Sequence, residues 1–186
     1  MLLGAGSALA AGALSPERYG PLDAAYTAMI PLDKDRVPAA AFAAAQRACE
    51  ELDRADPLLA ALRVTCLDVL RTFRAEERFA RCRGRNACRR ATAAGRKALT
   101  RLVRDQRLAN RAIDASVTDQ PCRLALRTSA RDLDETRQLV SALRRLERAF
   151  KRGSRAEIRR AERRVYSTAP GRSATQERQR FRSACG

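Results

Sequence analysis

The chain has 186 residues, enough for one compact domain with a real core and too few for two. It carries 38 Lys and Arg against 21 Asp and Glu, for a net charge of +17, and it contains no His and no Trp. The missing His excludes Ser-His and Cys-His nucleophile pairs and imidazole metal ligands.

Residues 1–13 form a short, uncharged run of Leu, Gly and Ala. Ala8-Leu9-Ala10 and Ala11-Gly12-Ala13 both fit the small-x-small cleavage pattern of a secretory signal peptide. The positive stretch that normally precedes such a run is missing, so the expectation is a signal truncated at its front. Residues 14–37 hold Pro16, Pro21 and Pro31 with scattered Gly and Asp, and show no sustained periodicity. They are expected to form an extended, irregular arm.

From residue 38 to residue 186 the pattern is helical. Phe42, Ala45, Cys49 and Leu52 mark one face of a first helix. Asp56-Pro57 is a restart, a capping side chain followed by Pro at the first helical position. Leu59, Leu62, Cys66, Val69 and Phe73 continue the second helix toward Gly84. Leu99, Leu102, Ala109 and Ile113 stripe a third. Thr118-Asp119-Gln120-Pro121 caps a fourth, expected to run unbroken through Leu126, Leu133, Val140 and Phe150 to Gly153. Ser154 to Glu157 reads as a capping box opening a short fifth, and Ser173 with Gln176 opens a final weak one. No segment alternates like a strand. The fold class is therefore all-α, an up-down antiparallel bundle of four to five main helices with an irregular N-terminal arm.

Six cysteines, even in number and widely scattered, read as disulfide staples of an exported protein, secreted or held in the cell envelope. No Cys-x-x-Cys occurs, which argues against a redox site or a zinc half-site. Cys82 and Cys88 flank a turn and are expected to close across it; the remaining four are expected as Cys49–Cys122 and Cys66–Cys185.

Gly is scarce and unclustered, so no phosphate loop or cofactor motif is found, and neither a cofactor nor a metal is expected. The adjacent acids Glu50-Glu51, Glu76-Glu77 and Asp134-Glu135 diverge on a helix and make no acid–base couple. No catalytic residue is assigned.

The positive signal is charge. The first sixty residues carry eight acids and five bases, so a net of +20 belongs to the helical remainder. Arg81, Arg83, Arg85, Arg89 and Arg90 crowd the Cys82–Cys88 turn. Arg144, Arg148, Arg152, Arg155 and Arg159 recur at helical spacing, with Arg145, Lys151, Arg160, Arg163 and Arg164 beside them. Guanidinium groups suit phosphate and carboxylate through paired hydrogen bonds. The expected partner is an anionic polymer, a lipid surface or an acidic protein, bound electrostatically by a non-enzymatic protein. Nucleic acid is a further candidate without base readout, since Phe150 reads as inward and only Tyr166 lies near the basic segments to stack a base. Two alternatives stand beside this reading: a cytosolic, nucleic-acid-associated protein with reduced thiols, and a secreted helical enzyme using Arg and Glu.

Overall fold

The computed structural model describes residues 13–33, 37–168 and 173–186. Among them are eight α-helices: α1 (Pro16–Met29), α2 (Ala39–Glu50), α3 (Pro57–Arg81), α4 (Arg85–Ser116), α5 (Gln120–Leu126), α6 (Ala130–Arg152), α7 (Arg155–Tyr166) and α8 (Ala174–Cys185). A 3-10 turn, Ile30–Asp33, follows α1. No strand occurs among the described residues. The chain is an all-α helical bundle.

Local chemistry sets the helix ends. The Asp56 carboxylate accepts hydrogen bonds from the Leu58 and Leu59 amides, 2.8 and 3.0 Å, while Pro57 fills the first helical position. Asp119 accepts from the Cys122 amide, Ser129 from Asp132 and Ser154 from Glu157, opening α5, α6 and α7. Ser173 and Gln176 form a reciprocal capping box for α8. Gly153 ends α6 at φ +85°, the left-handed conformation that glycine tolerates best.

Helices α3, α4 and α6 form the body. The Cys82–Cys88 bridge closes the α3–α4 turn. Further along, a Cβ added at Gly95 would stand 3.8 Å from Ala75 on α3 and 3.9 Å from Leu143 on α6. Helix α4 therefore lies between its two neighbours and runs opposite to α3. It also runs opposite to α6, since Arg85 meets Phe150 while Asn110 meets Thr128. Leu99, Leu102, Leu139 and Leu143 fill the seam, with Val165 of α7 packed against them. Helix α7 turns back along α6 after Gly153.

A second group of helices covers the other end. Leu14, Leu22 and Ala25 pack with Leu58, Ile113, Cys122, Leu126 and Phe181 into one core cluster. Phe181 is fully buried, stacked between Tyr19 and Tyr26 at centroid distances of 5.1 and 5.0 Å. Met29, Leu32, Phe42 and Ala45 join Leu70 of α3 in a neighbouring cluster. Burying each such large apolar side chain contributes about 1.5–3 kcal/mol.

Three sequence expectations require correction. Residues 14–37 are not an extended arm, because Pro16–Met29 is helix α1 with Leu22, Ala25 and Met29 buried. Pro16 sits at the helix start, where its missing N–H costs nothing, and burial against α8 and α2 outweighs the interior Pro21. The expected fourth helix is divided at residues 127–129. There Asn110 of α4 donates to the Thr128 carbonyl at 2.8 Å and accepts from the Thr128 amide at 3.0 Å. Those bonds satisfy in an extended segment the backbone groups that a continuous helix would have paired. Finally, the structure joins Cys49 to Cys66 and Cys122 to Cys185. The alternative pairing of these four fails because α2 packs directly on α3 and α5 on α8, bringing the observed partners to Cα separations of 5.7 and 4.6 Å. Residues 1–12 of the expected signal peptide lie outside the described residues.

Candidate functional site

The end of the body that carries the Cys82–Cys88 bridge gathers the basic residues. The turn places Arg81, Arg83, Arg85 and Arg90 at the surface, with Arg89 half-buried on α4. They do not act as one cluster. Arg85 reaches across to the end of α6 and donates from Nε to the Phe150 carbonyl and from Nη2 to the Lys151 carbonyl, both at 2.6 Å. It thereby caps the negative end of α6 and fixes α4 to it. Arg81 pairs with Glu77 at 3.2 Å, and Arg83 donates to the Cys82 carbonyl at 3.1 Å.

Two grooves lie beside α6 at this end. One, of about 450 Å³, runs between α4 and α6 and is lined by Arg89, Arg96, Arg144, Glu147, Arg148 and Lys151. The other, of about 370 Å³, runs between α6 and α7. Its rim is Arg145, Arg148, Arg152, Arg160 and Arg164 with Glu157, over a floor of Ala142, Ala149 and Ala161. Arg148 belongs to both. Small Ala side chains at 142, 149 and 161 let α7 approach α6 closely, while the long Arg side chains on either side remain in solvent.

Only part of this charge is neutralised. Glu147 accepts from Arg96 at 2.8 Å, and Glu157 stands 3.9 Å from Arg152. Among the described residues no ion pair engages Arg89, Arg144, Arg145, Arg148, Lys151, Arg160 or Arg164. The series of basic residues at helical spacing is thus divided. Arg144, Arg148 and Arg152 line the grooves, whereas Arg155 and Arg159 are exposed on α7 outside them. Gly153 reverses the chain, so α7 presents Arg160 and Arg164 to the groove instead. Arg96 has no place in the sequence reading, although it follows Arg89 by two helical turns on one face of α4.

A second polar feature lies inside the body. Asp68 of α3 and Asp105 of α4 are 0 % and 4 % exposed and face each other within hydrogen-bonding reach. Arg71 pairs with the Asp68 Oδ1. Arg104 donates from Nε and Nη2 to the two Asp105 oxygens at 2.7 and 3.0 Å. Asp68 Oδ2 meets no donor among the described residues. Two carboxyl groups can hydrogen-bond only when one is protonated, and of the two Asp68 keeps its proton to the higher pH. Burial pushes the Asp68 carboxyl above the ordinary carboxylate range, with the Asp105 hydrogen bond adding to it. The Arg104 hydrogen bond holds Asp105 below that range. Neither groove is lined by this pair. Sequence reading passes over both residues, since each falls on a helix as one acid among many charges.

No described helix is long and apolar enough to cross a membrane. Among the described residues no group of three or more Cys, Asp or Glu is placed to hold a metal ion. Compared with known protein families, curated proteins and solved structures, the chain matches none. Fold and site together define a disulfide-bridged helical bundle with two basic grooves at one end. Its three bridges suit an oxidising, extracytoplasmic environment.

Proposed function

We propose that this is an exported, non-enzymatic helical protein that uses its basic end to hold anionic envelope material or an acidic partner. The observation that carries the reading is the convergence of unpaired Arg and Lys side chains from α4, α6 and α7 on two adjoining grooves. The bridge at Cys82–Cys88 and the Arg85 cap support it, because they hold α4 and α6 together beneath the charges. Helices fixed beneath the charges lose less freedom on binding than mobile segments. Export supplies the oxidising compartment that the bridges need, and the small-x-small motifs at the front of the chain agree with it.

Binding driven by charge weakens steeply with salt, because each neutralised contact releases counterions. The purified, oxidised protein is therefore expected to be retained by immobilised heparin at low ionic strength and released as salt rises. Failure to bind either heparin or anionic vesicles at low ionic strength would sink the proposal.

A further inference from the structure

Four features of the basic end bear on what occupies it. First, the cations form a stripe. Arg144, Arg145, Arg148, Lys151 and Arg152 follow one another along the exposed side of α6, rising over about 12 Å at the helical rise per residue. Second, the grooves are recessed. The Arg96 side chain is only 24 % exposed, Arg89 is half-buried, and Ala142 and Ala149 in the second groove are buried. A flat bilayer would meet only the exposed cations of the stripe, whereas a thin flexible strand lying in the depressions can meet Arg89 and Arg96 as well. Third, the lining of both grooves is Arg, Lys, Glu and Ala alone, with no aromatic ring on which a base could stack. Fourth, of the four large exposed apolar side chains, Val64, Leu108 and Leu124 are on α3, α4 and α5 toward the opposite end of the body, and Tyr166, at the end of α7, lines neither groove.

We infer that the two grooves form one continuous track for a single flexible, base-free phosphate polymer, crossing α6 at Arg148. The inference rests on the electrostatic reading above and narrows its ligand. Phosphate groups repeated along a strand meet successive guanidiniums, each able to donate two parallel hydrogen bonds. Arg148 is the crossing point because it alone lines both grooves. Glu147 and Glu157 hold Arg96 and Arg152 in place at the two sides of the track.

The test uses the full oxidised chain with long-chain inorganic polyphosphate as the probe. Its comparison arm is vesicles of phosphatidylglycerol and phosphatidylcholine in equal parts. Arg148→Gln is compared with Arg111→Gln, an exposed position on α4 toward the far end of the body. The two variants lose the same charge, and both side chains are exposed, so circular dichroism should match wild type. Losing a charged hydrogen-bonding group at the track should weaken polyphosphate binding about tenfold, against about twofold or less for Arg111→Gln. Equal losses would mean diffuse attraction and overturn the track. Binding to vesicles without binding to polyphosphate would overturn the strand as occupant and leave charge-driven binding intact. Binding to neither would remove both readings.

Discussion

Asp68 and Asp105 bring two carboxyl groups together inside the α3–α4 interface, and their titrations oppose each other. Asp68, pushed up by burial, contributes stability that is complete below the ordinary carboxylate range and is lost as pH rises through its raised value. Asp105, held down chiefly by Arg104, contributes stability that is present above that range and is lost as pH falls through its depressed value. Asp23 adds to the acid side. A hydrogen bond from Arg182, with Arg178 beside it, lowers its carboxyl to about 2, so its contribution disappears as pH falls toward that value. Asp68→Asn should separate these effects. An amide at this position still accepts from Arg71 and donates to Asp105, but it cannot ionise. Thermal melts across pH should show the wild type losing stability as Asp68 ionises, and the variant losing less over the same interval. Parallel curves for the two proteins would contradict a shared proton. Arg101, Arg104 and Arg71 are the cations that act on the pair, and none of them changes in this variant.

At the scale of elements, the helices that were legible are those with long apolar stripes and explicit caps. Asp56-Pro57, Ser154 and Ser173 each carry the residue type that satisfies first-turn amides, and each opens a helix. Helix α1 was not legible because its inward residues are spread among Ala and Gly, and because Pro16 and Pro21 read as breakers. The division of α5 from α6 depends on Asn110, a residue 18 positions away along the chain, and long-range side-chain bonds leave no local pattern. A local signal was present in Ser129 with Asp132, which caps α6, but the apolar heptad across it reads as continuous. The site was legible in composition and not in arrangement. Both Arg clusters could be read from the sequence, whereas the reversal at Gly153 that moves Arg159 out and Arg160 in depends on the packing of α7. Asn110→Ala offers a test of the division. It leaves the Thr128 amide and carbonyl without their partner, and unfolding in urea should show a loss of about 1–3 kcal/mol. A variant as stable as wild type would show that the 127–129 connection is held by something other than Asn110.

Across the whole molecule, the unpaired cations of the two grooves gather at one end, while the disulfide bridges are shared between both. At the end built from α1, α5 and α8, the acids are matched: Asp23 holds Arg178 and Arg182, and Asp56 holds Arg18. The bridge between Cys122 and Cys185 fastens α8 there across 63 residues, and closing a loop of that length removes about 4 kcal/mol of unfolded-state entropy. The bridge between Cys49 and Cys66 ties α2 to the body. The remaining bridge secures the end where the cations of the grooves are left unpaired. An Ala-rich core, with Ala45, Ala75, Ala109, Ala142 and Ala149 buried, gains little from each side chain and depends on such restraint.

The proposed exported bundle with a disulfide-held basic end requires that these bridges exist where the protein works. The direct measurement is a disulfide map of protein taken from its native cells, alkylated without reduction and digested with trypsin, which cuts between the partners of every pair. Three linked peptide pairs are predicted, Cys49–Cys66, Cys82–Cys88 and Cys122–Cys185. Six alkylated, free cysteines, or a map that joins Cys49 to Cys122, would contradict it.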